Sequence, residues 1–297
     1  MLDFQRLSRY IIGPFGAGRI MNLTPWLETV GVIVLAISGV LLGRMFSRFK
    51  GLRWMIGYFL AAAMIAAMVL IRANDTLSFT WPMSWIMSTR AKFLVLSLAA
   101  TIGLTTPMSR LGRKFERVAL SFAMVVVVVW FCVLPFLVPA IINKDLANLK
   151  TQFDINGICF QTTDYTCAPA AAVTALRKLG LDGHEGELAI LAHSTPITGT
   201  LPGCLNDALM KRYGDEGLKS RYRHYDSIEQ LKDSTVTLAM VRDRPLSDHC
   251  VAVLEVSDNK ITIADPVFGK MVMTYKQFED IWRYSGIAIT RDLNEHI

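Results

Sequence analysis

The sequence predicts four membrane-spanning α-helices followed by an α+β domain with an antiparallel sheet. Three observations predict it. Apolar residues make up 52% of the 297-residue chain, and they gather before residue 143 in runs too long for ordinary core elements. Charge divides at the same point: residues 1–142 carry 14 Lys/Arg against 4 Asp/Glu, and residues 143–297 carry 17 against 21, so halves of +10 and −4 make up the total of +6. Beyond residue 158, helical periodicity comes first and strand periodicity second, the pattern of an α+β domain.

Residues 1–25 do not read as a cleaved signal peptide, because their apolar run is short and no small-residue cleavage site follows it. They are expected to lie along a membrane surface with Phe4, Tyr10, Ile11 and Phe15 embedded. Within residues 26–142 the spans are Trp26–Met45, Trp54–Ile71, Ala91–Met108 and Val118–Ile142. Each has roughly the 17–25 apolar residues that a hydrocarbon core of ~30 Å requires. The third is the least apolar, with Lys92 and several Ser/Thr. Pro135 and Pro139 are expected to bend the fourth.

The first connection carries Arg44, Arg48, Lys50 and Arg53, and the third carries Arg110, Arg113, Lys114 and Arg117. The second has Arg72, Arg90 and Lys92 at its edges, and Trp81 and Trp85 suit an interface. The positive-inside bias puts the first and third connections in the cytoplasm and the rest of the chain outside, although Arg6, Arg9 and Arg19 pull the other way. The negative second half argues against nucleic-acid binding, which needs a basic face on a folded domain. A polar linker follows over 143–157. Sixteen residues from Asn143 to Ile158 reach at most ~55 Å, so the domain at 158–297 stays near the bilayer.

In that domain, Gln161–Leu181 reads QTTDYTCAPAAAVTALRKLGL. Pro169 suits a first helical turn, Ala172, Val173, Leu176 and Leu179 recur at helical spacing, and Gly180 supplies a stop. Cys167 therefore stands at a helix N-terminus, where unpaired amides and the helix dipole favour the reactive thiolate. Helical patterns follow at Gly186–His193 and Leu205–Tyr213. Strand patterns follow at Thr235–Val241, His249–Val256, Ile261–Ala264, Met271–Met273 and Ile287–Ile289. Thr274 and Gln277 have capping-box spacing and open a helix at Tyr275–Trp282.

A reactive thiol needs a base within reach and a group to orient that base. His184, His193 and His224 lie in polar contexts and read as solvated, and His296 is at the terminus. His249 differs. It opens an apolar strand, so its ring can leave the sheet end toward a cleft. Asp265 ends the next strand across a tight turn, which brings it back to the His249 end of the hairpin. Gln161, one loop upstream of the thiol, can donate to an oxyanion, and one such donor is worth roughly 3–4 kcal/mol of barrier.

Residues 158–290 resemble the bacteriocin-processing, double-glycine-leader cysteine peptidases of papain-like fold. The resemblance rests on the Gln161…Cys167 spacing with its alanine-rich helix, GTLPGCLNDAL, DHCVAVLEV and IADPVFGKMVMTYKQFEDIW. It implies Cys167 as nucleophile, His249 as base, Asp265 as orienting acid and Gln161 as oxyanion donor. Thr166 and Ala168 depart from the aspartate and glycine usual beside the nucleophile, which bears on substrate preference. Better-known members sit in the cytoplasm on ABC exporters, whereas this sequence contains no P-loop.

Cys132 reads as apolar filler and Cys250 as core. Cys159 and Cys204 are available to pair in an oxidising compartment. No zinc-ligand spacing is present and no cofactor is implied. The expectation is a membrane-anchored cysteine peptidase, hydrolysing a membrane-proximal peptide or protein at the outer face of a bacterial-type plasma membrane. The alternatives are transpeptidation or amide transfer on the same triad, a non-catalytic peptide sensor, and a cytoplasm-facing leader peptidase serving a separate exporter.

Overall fold

The structure is a computed structural model that describes residues 23–244 and 247–292. The interfacial segment expected over residues 1–25, apart from its last three positions, and His296 lie outside the described residues.

The first half is helical: α1 (Leu23–Ser47), α2 (Met55–Ala73), the short α3 (Asp75–Ser78) and α4 (Met83–Ser88), α5 (Ala91–Thr105), α6 (Lys114–Val128) and α7 (Leu134–Ala147). Four stretches are long and apolar enough to cross a membrane: Pro25–Ser47, Gly51–Ala73, Ala91–Arg110 and Lys114–Ala147. The last runs well past the Val118–Ile142 expected. It contains a π-helical turn at Val129–Val133, immediately before Pro135, with Pro139 further inside. A proline in a helix cannot donate and crowds the carbonyl four residues back, and a wider turn relieves that crowding. The helix continues to Ala147, so the linker is shorter than its polar composition suggested.

The least apolar span is the most interior. α5 packs against α1, α2 and α6. Ser97, Ala99, Thr101, Ile102 and Thr105 are buried along it. Small residues let backbones approach in lipid. Their hydroxyls are absorbed locally: Thr101 Oγ1 donates to Ser97 O at 2.7 Å and Thr106 Oγ1 to Ile102 O at 2.7 Å.

The second half opens with a small pair, β1 (Gln152–Phe153) and β2 (Cys159–Phe160), then α8 (Cys167–Lys178), α9 (Glu185–Leu191) and α10 (Pro202–Tyr213). The sheet strands are β3 (Leu218–His224), β4 (Val236–Arg244), β5 (Ser247–Val256), β6 (Lys260–Asp265), β7 (Gly269–Thr274) and β8 (Trp282–Arg291), with α11 (Tyr275–Ile281) before β8. They form one antiparallel sheet in the order β3-β8-β4-β5-β6-β7. The capping box at Thr274 and Gln277 is formed. Two features depart from expectation. β3 was not foreseen, and β8 is a ten-residue strand inserted between β3 and β4 rather than a short closing one.

Alternation along the strands supplies two cores. One holds Leu176, Leu205, Leu209, Leu238, Cys250, Ala252 and Ile287, and α8 lies on it through Ala170, Ala171, Ala172 and Ala175. The other holds Tyr225, Val251, Val253, Ile263, Phe278 and Trp282. Alanine on the buried face brings α8 close to the sheet.

The two halves dock through close backbone approaches. A Cβ at Gly186 would stand 2.2 Å from Leu146 O, and one at Gly203 would stand 2.3 Å from Ser88 Oγ. Only glycine allows α9 to meet the end of α7, and α10 to meet the end of α4, at that range. Phe79, between α3 and α4, adds ring contacts to Tyr222 at 5.1 Å and His224 at 5.4 Å.

Candidate active site

Cys167 is the first residue of α8 and is partly exposed. The amides of a first helical turn have no intrahelical acceptor, so they face whatever sits at the thiol. Thr166, one residue before the thiol, is buried and knots the preceding turn. Its Oγ1 accepts from Thr163 N at 3.1 Å and donates to Thr163 O at 3.0 Å. Ala168 is buried, and it lines the same cleft as Cys167.

His249 bridges the thiol and a carboxylate. Its Nε2 lies 3.1 Å from Asp265 Oδ1. The Cys167 side chain is its other polar neighbour and favours the charged ring, and both residues line one cleft. Asp265 Oδ1 further accepts from Val267 N at 2.7 Å and Phe268 N at 3.3 Å, which fixes the carboxylate at the head of its own turn. Burial of His249 opposes its charge, but the Asp265 and Cys167 partners outweigh that and push its pKa up from 6.5 to about 10. Burial likewise opposes charge on Asp265, and the bonds from His249 and the two amides still hold it below the ordinary 3.8. Both shifts favour the charged ring beside the charged Asp265 carboxylate.

One irregularity in the hairpin makes the pairing possible. Glu255 pairs with Thr262 and Val256 with Ile261, but Val253 pairs with Ile263 and Ala252 with Ala264. The register slips by one residue, with Leu254 extra on β5. Continued unslipped, it would set Asp265 opposite Ala252, on the face opposite His249. With the bulge, Asp265 falls opposite Val251, and positions 249 and 251 share a face.

Gln161 is tied by its backbone to the turn that follows Asp265. Its backbone N–H donates to Pro266 O at 3.0 Å, one residue past Asp265. Its Oε1 is buried with no hydrogen-bond partner, and among the described residues no hydrogen bond joins it to Cys167. The next residue is braced by a residue that the sequence reading passed over. Buried Glu185 accepts from Thr162 N at 2.7 Å and from Thr162 Oγ1 at 2.5 Å.

Cys167 and His249 open into a cleft of about 690 Å³. One wall is Asp164, Tyr165 and the 196–202 segment. The other includes Arg72, Phe79, Met87 and Lys92, all from the helical half. These residues read as span flanks in the sequence. The available signal was that Arg72 and Lys92 sit at the two ends of one short connection.

Two of the histidines expected to be solvated are not. His193 sits at φ 54. Burial, then Arg90 and Lys211, lower its pKa to about 3. His224 lies on β3 with Nδ1 buried and unpartnered. Cys159 and Cys204, expected as a possible disulfide, are separate free thiols. Burial, then the nearby Glu185, pushes Cys159 up to about 12, and burial chiefly raises Cys204 and Cys250.

Residues 156–295 match the sequence model of the Peptidase C39 family. An uncharacterised protein of Methanothermobacter marburgensis is 30% identical over 148 residues, which cover 50% of this chain and 98% of that protein. Another, from Methanothermobacter thermautotrophicus, is 26% identical over 143 residues, covering 48% of this chain and 94% of the relative. Among solved structures, the peptidase domain of Streptococcus ComA, a bi-functional ABC transporter of a quorum-sensing pathway, aligns with TM-score 0.40 and 19% identity over 45% of this chain and 96% of that domain. A double-glycine-motif protease from an AMS/PCAT transporter, solved with its leader peptide, aligns with TM-score 0.37 and 14% identity over 48% of this chain and 93% of that one. With the family match running over residues 156–295 and a 30% identical relative covered to 98% by this chain, the protein belongs to the Peptidase C39 family through its α+β half and is a cysteine peptidase carrying four helices apolar enough to cross a membrane.

Proposed function

We propose that this protein is a membrane-anchored peptidase that hydrolyses a peptide bond through Cys167, His249 and Asp265. The observation that carries the reading is one imidazole, His249, that lies 3.1 Å from Asp265 and lines the same cleft as the Cys167 thiol. The sulfur, deprotonated by His249, attacks the scissile carbonyl carbon and makes a tetrahedral oxyanion. The Cys167 backbone N–H and the Gln161 side-chain amide are the donors assigned to that oxyanion. The imidazolium then gives its proton to the departing amine, leaving a thioester. His249 next takes a proton from water, which attacks the thioester and releases the acid and the thiol. Asp265 orients the ring and stabilises its charged form.

The substrate is a peptide segment at the membrane surface. The relative solved with a leader peptide supports a peptide ligand. The cleft's second wall, made of residues flanking two spans, supports a membrane-proximal one. The peptidase is assigned to the outer face of a plasma membrane. In support, the two most basic connections meet each other at the far end, where Ser109 Oγ donates to Ser47 O at 3.1 Å and Arg110 to Phe49 O at 2.9 Å. The peptidase instead docks on the 74–90 connection and the end of α7. Comparing the peptides released outside cells expressing wild type and Cys167→Ala tests the activity. Products lost in the variant support it; an unchanged set contradicts it. Protease accessibility of the second half in spheroplasts tests the orientation.

A further inference from the structure

We propose that Arg72 and Lys92 form a carboxylate-binding subsite of the cleft, so that the peptidase selects peptides with an acidic residue near the bond it cuts. This rests on the peptidase reading above and adds a substrate class to it.

Arg72 ends α2 and Lys92 begins α5, yet both line the cleft that holds Cys167 and His249. The chain between them is docked onto the peptidase half through Phe79 and Ser88, which sets the two cations against that wall. Tyr222 lines the same cleft as the two cations.

Two other cations of the cleft are paired. Arg283 pairs with Asp248 at 2.7 Å, and His249 with Asp265. Arg90, the third cation of the connection, pairs with Glu28 at 2.8 Å. Lys92 Nζ has the Phe93 ring at 5.3 Å, and among the described residues neither Lys92 nor Arg72 has a carboxylate within ion-pair distance. Asp164 is the one cleft carboxylate without an ion-pair partner among the described residues, and it is exposed on the opposite wall. Two like charges held together in a partly desolvated groove repel each other until an anion arrives.

A lipid headgroup phosphate would meet the same charge requirement. The cations' position on the catalytic cleft, rather than on an outer helix face, favours a peptide carboxylate.

The test uses the full-length protein in nanodiscs of zwitterionic lipid and a mixed library of short peptides, with cleavage sites read by mass spectrometry. For wild type, peptides with Asp or Glu within a few residues of the cut bond should be cleaved about tenfold faster than their Asn or Gln counterparts. This preference should weaken at high salt. In an Arg72→Glu/Lys92→Glu variant the preference should invert toward Lys and Arg, a result that loss of structure does not produce. The rate of Cys167 alkylation, measured in parallel, reports whether the site is intact. Equal preferences in wild type and variant, or no acidic preference in wild type, would overturn the proposal. So would an unchanged cleavage profile with altered binding to anionic vesicles, which would make these residues headgroup ligands. Cleavage of no peptide by wild type would sink the peptidase reading itself, and this one with it.

Discussion

The two halves of the chain bury opposite residues. In the peptidase half the largest side chains are inside: Trp282, Phe278, Tyr213 and Leu205 are all 1% exposed or less. In the helical half, Phe122 is 70% exposed, Leu41 60% and Val69 60%, while Ser97, Ala99, Thr101 and Thr105 are among the buried residues. The first arrangement is what water drives. The second is stable only where the surroundings are as apolar as the side chains, and packing of small residues then holds the helices together. The candidate site lies where the two halves meet. Its chemistry comes from the water-folded half and part of its cleft from the lipid-folded half.

The sharpest break of this comparison is chemical. Asp265→Asn should lower kcat by roughly 10²–10⁴-fold with little change in KM, because the amide orients the ring but no longer stabilises its charge. Steady-state cleavage of a peptide identified from the library checks this, and a loss below tenfold would assign Asp265 to structure alone.

Next in size is the contrast in packing. Trp282→Ala should destabilise the peptidase half by about 3–5 kcal/mol. Phe122→Ala should change the stability of the helical half by less than about 0.5 kcal/mol. Denaturation followed separately in each half decides it; equal losses would mean the exposed apolar surface is not lipid-facing.

At the junction, Gly203→Val must displace Ser88, and overpacking of this kind costs roughly 1–3 kcal/mol. Hydrogen exchange over residues 83–90 should rise, while α8 keeps its protection.

The smallest effect is on pH. The folded pKa of His249 is raised, so the stability it contributes is complete below 6.5 and is lost as pH rises through about 10. That of Asp265 is lowered, so its contribution is complete above 3.8 and is lost as pH falls through its depressed folded value. The two together are greatest between those ordinary values. Cys167→Ala removes one of the partners that raise His249, so a histidine titration should fall below its wild-type value.

Much of the site could be read in the sequence because it is local. Cys167 begins a helix whose period is plain, and His249 and Asp265 lie on one hairpin. The slip at Leu254 could not be read, since the turn alone sets an unslipped register and only the packed sheet selects the bulge. β3 was missed because its outward positions, Lys219, Arg221 and Arg223, gave LKSRYRH a loop's polarity. Leu218, Ser220 and Tyr222 alternate with them, so a two-residue period was present for an edge strand with one wet face. The cleft's second wall was hidden for a different reason. Arg72 and Lys92 explain themselves as span flanks, and only the docking of Phe79 and Ser88 brings them near Cys167.

The central claim is that one imidazole couples this sulfur, and no other among the described residues, to a carboxylate. Its most direct measurement is peptide mapping after brief exposure of the full-length protein to a peptidyl epoxide at neutral pH. The account predicts one adduct, on Cys167, formed far more slowly in His249→Ala, with Cys159, Cys204 and Cys250 unlabelled. Labelling spread over those thiols, or an undiminished rate without His249, would contradict it.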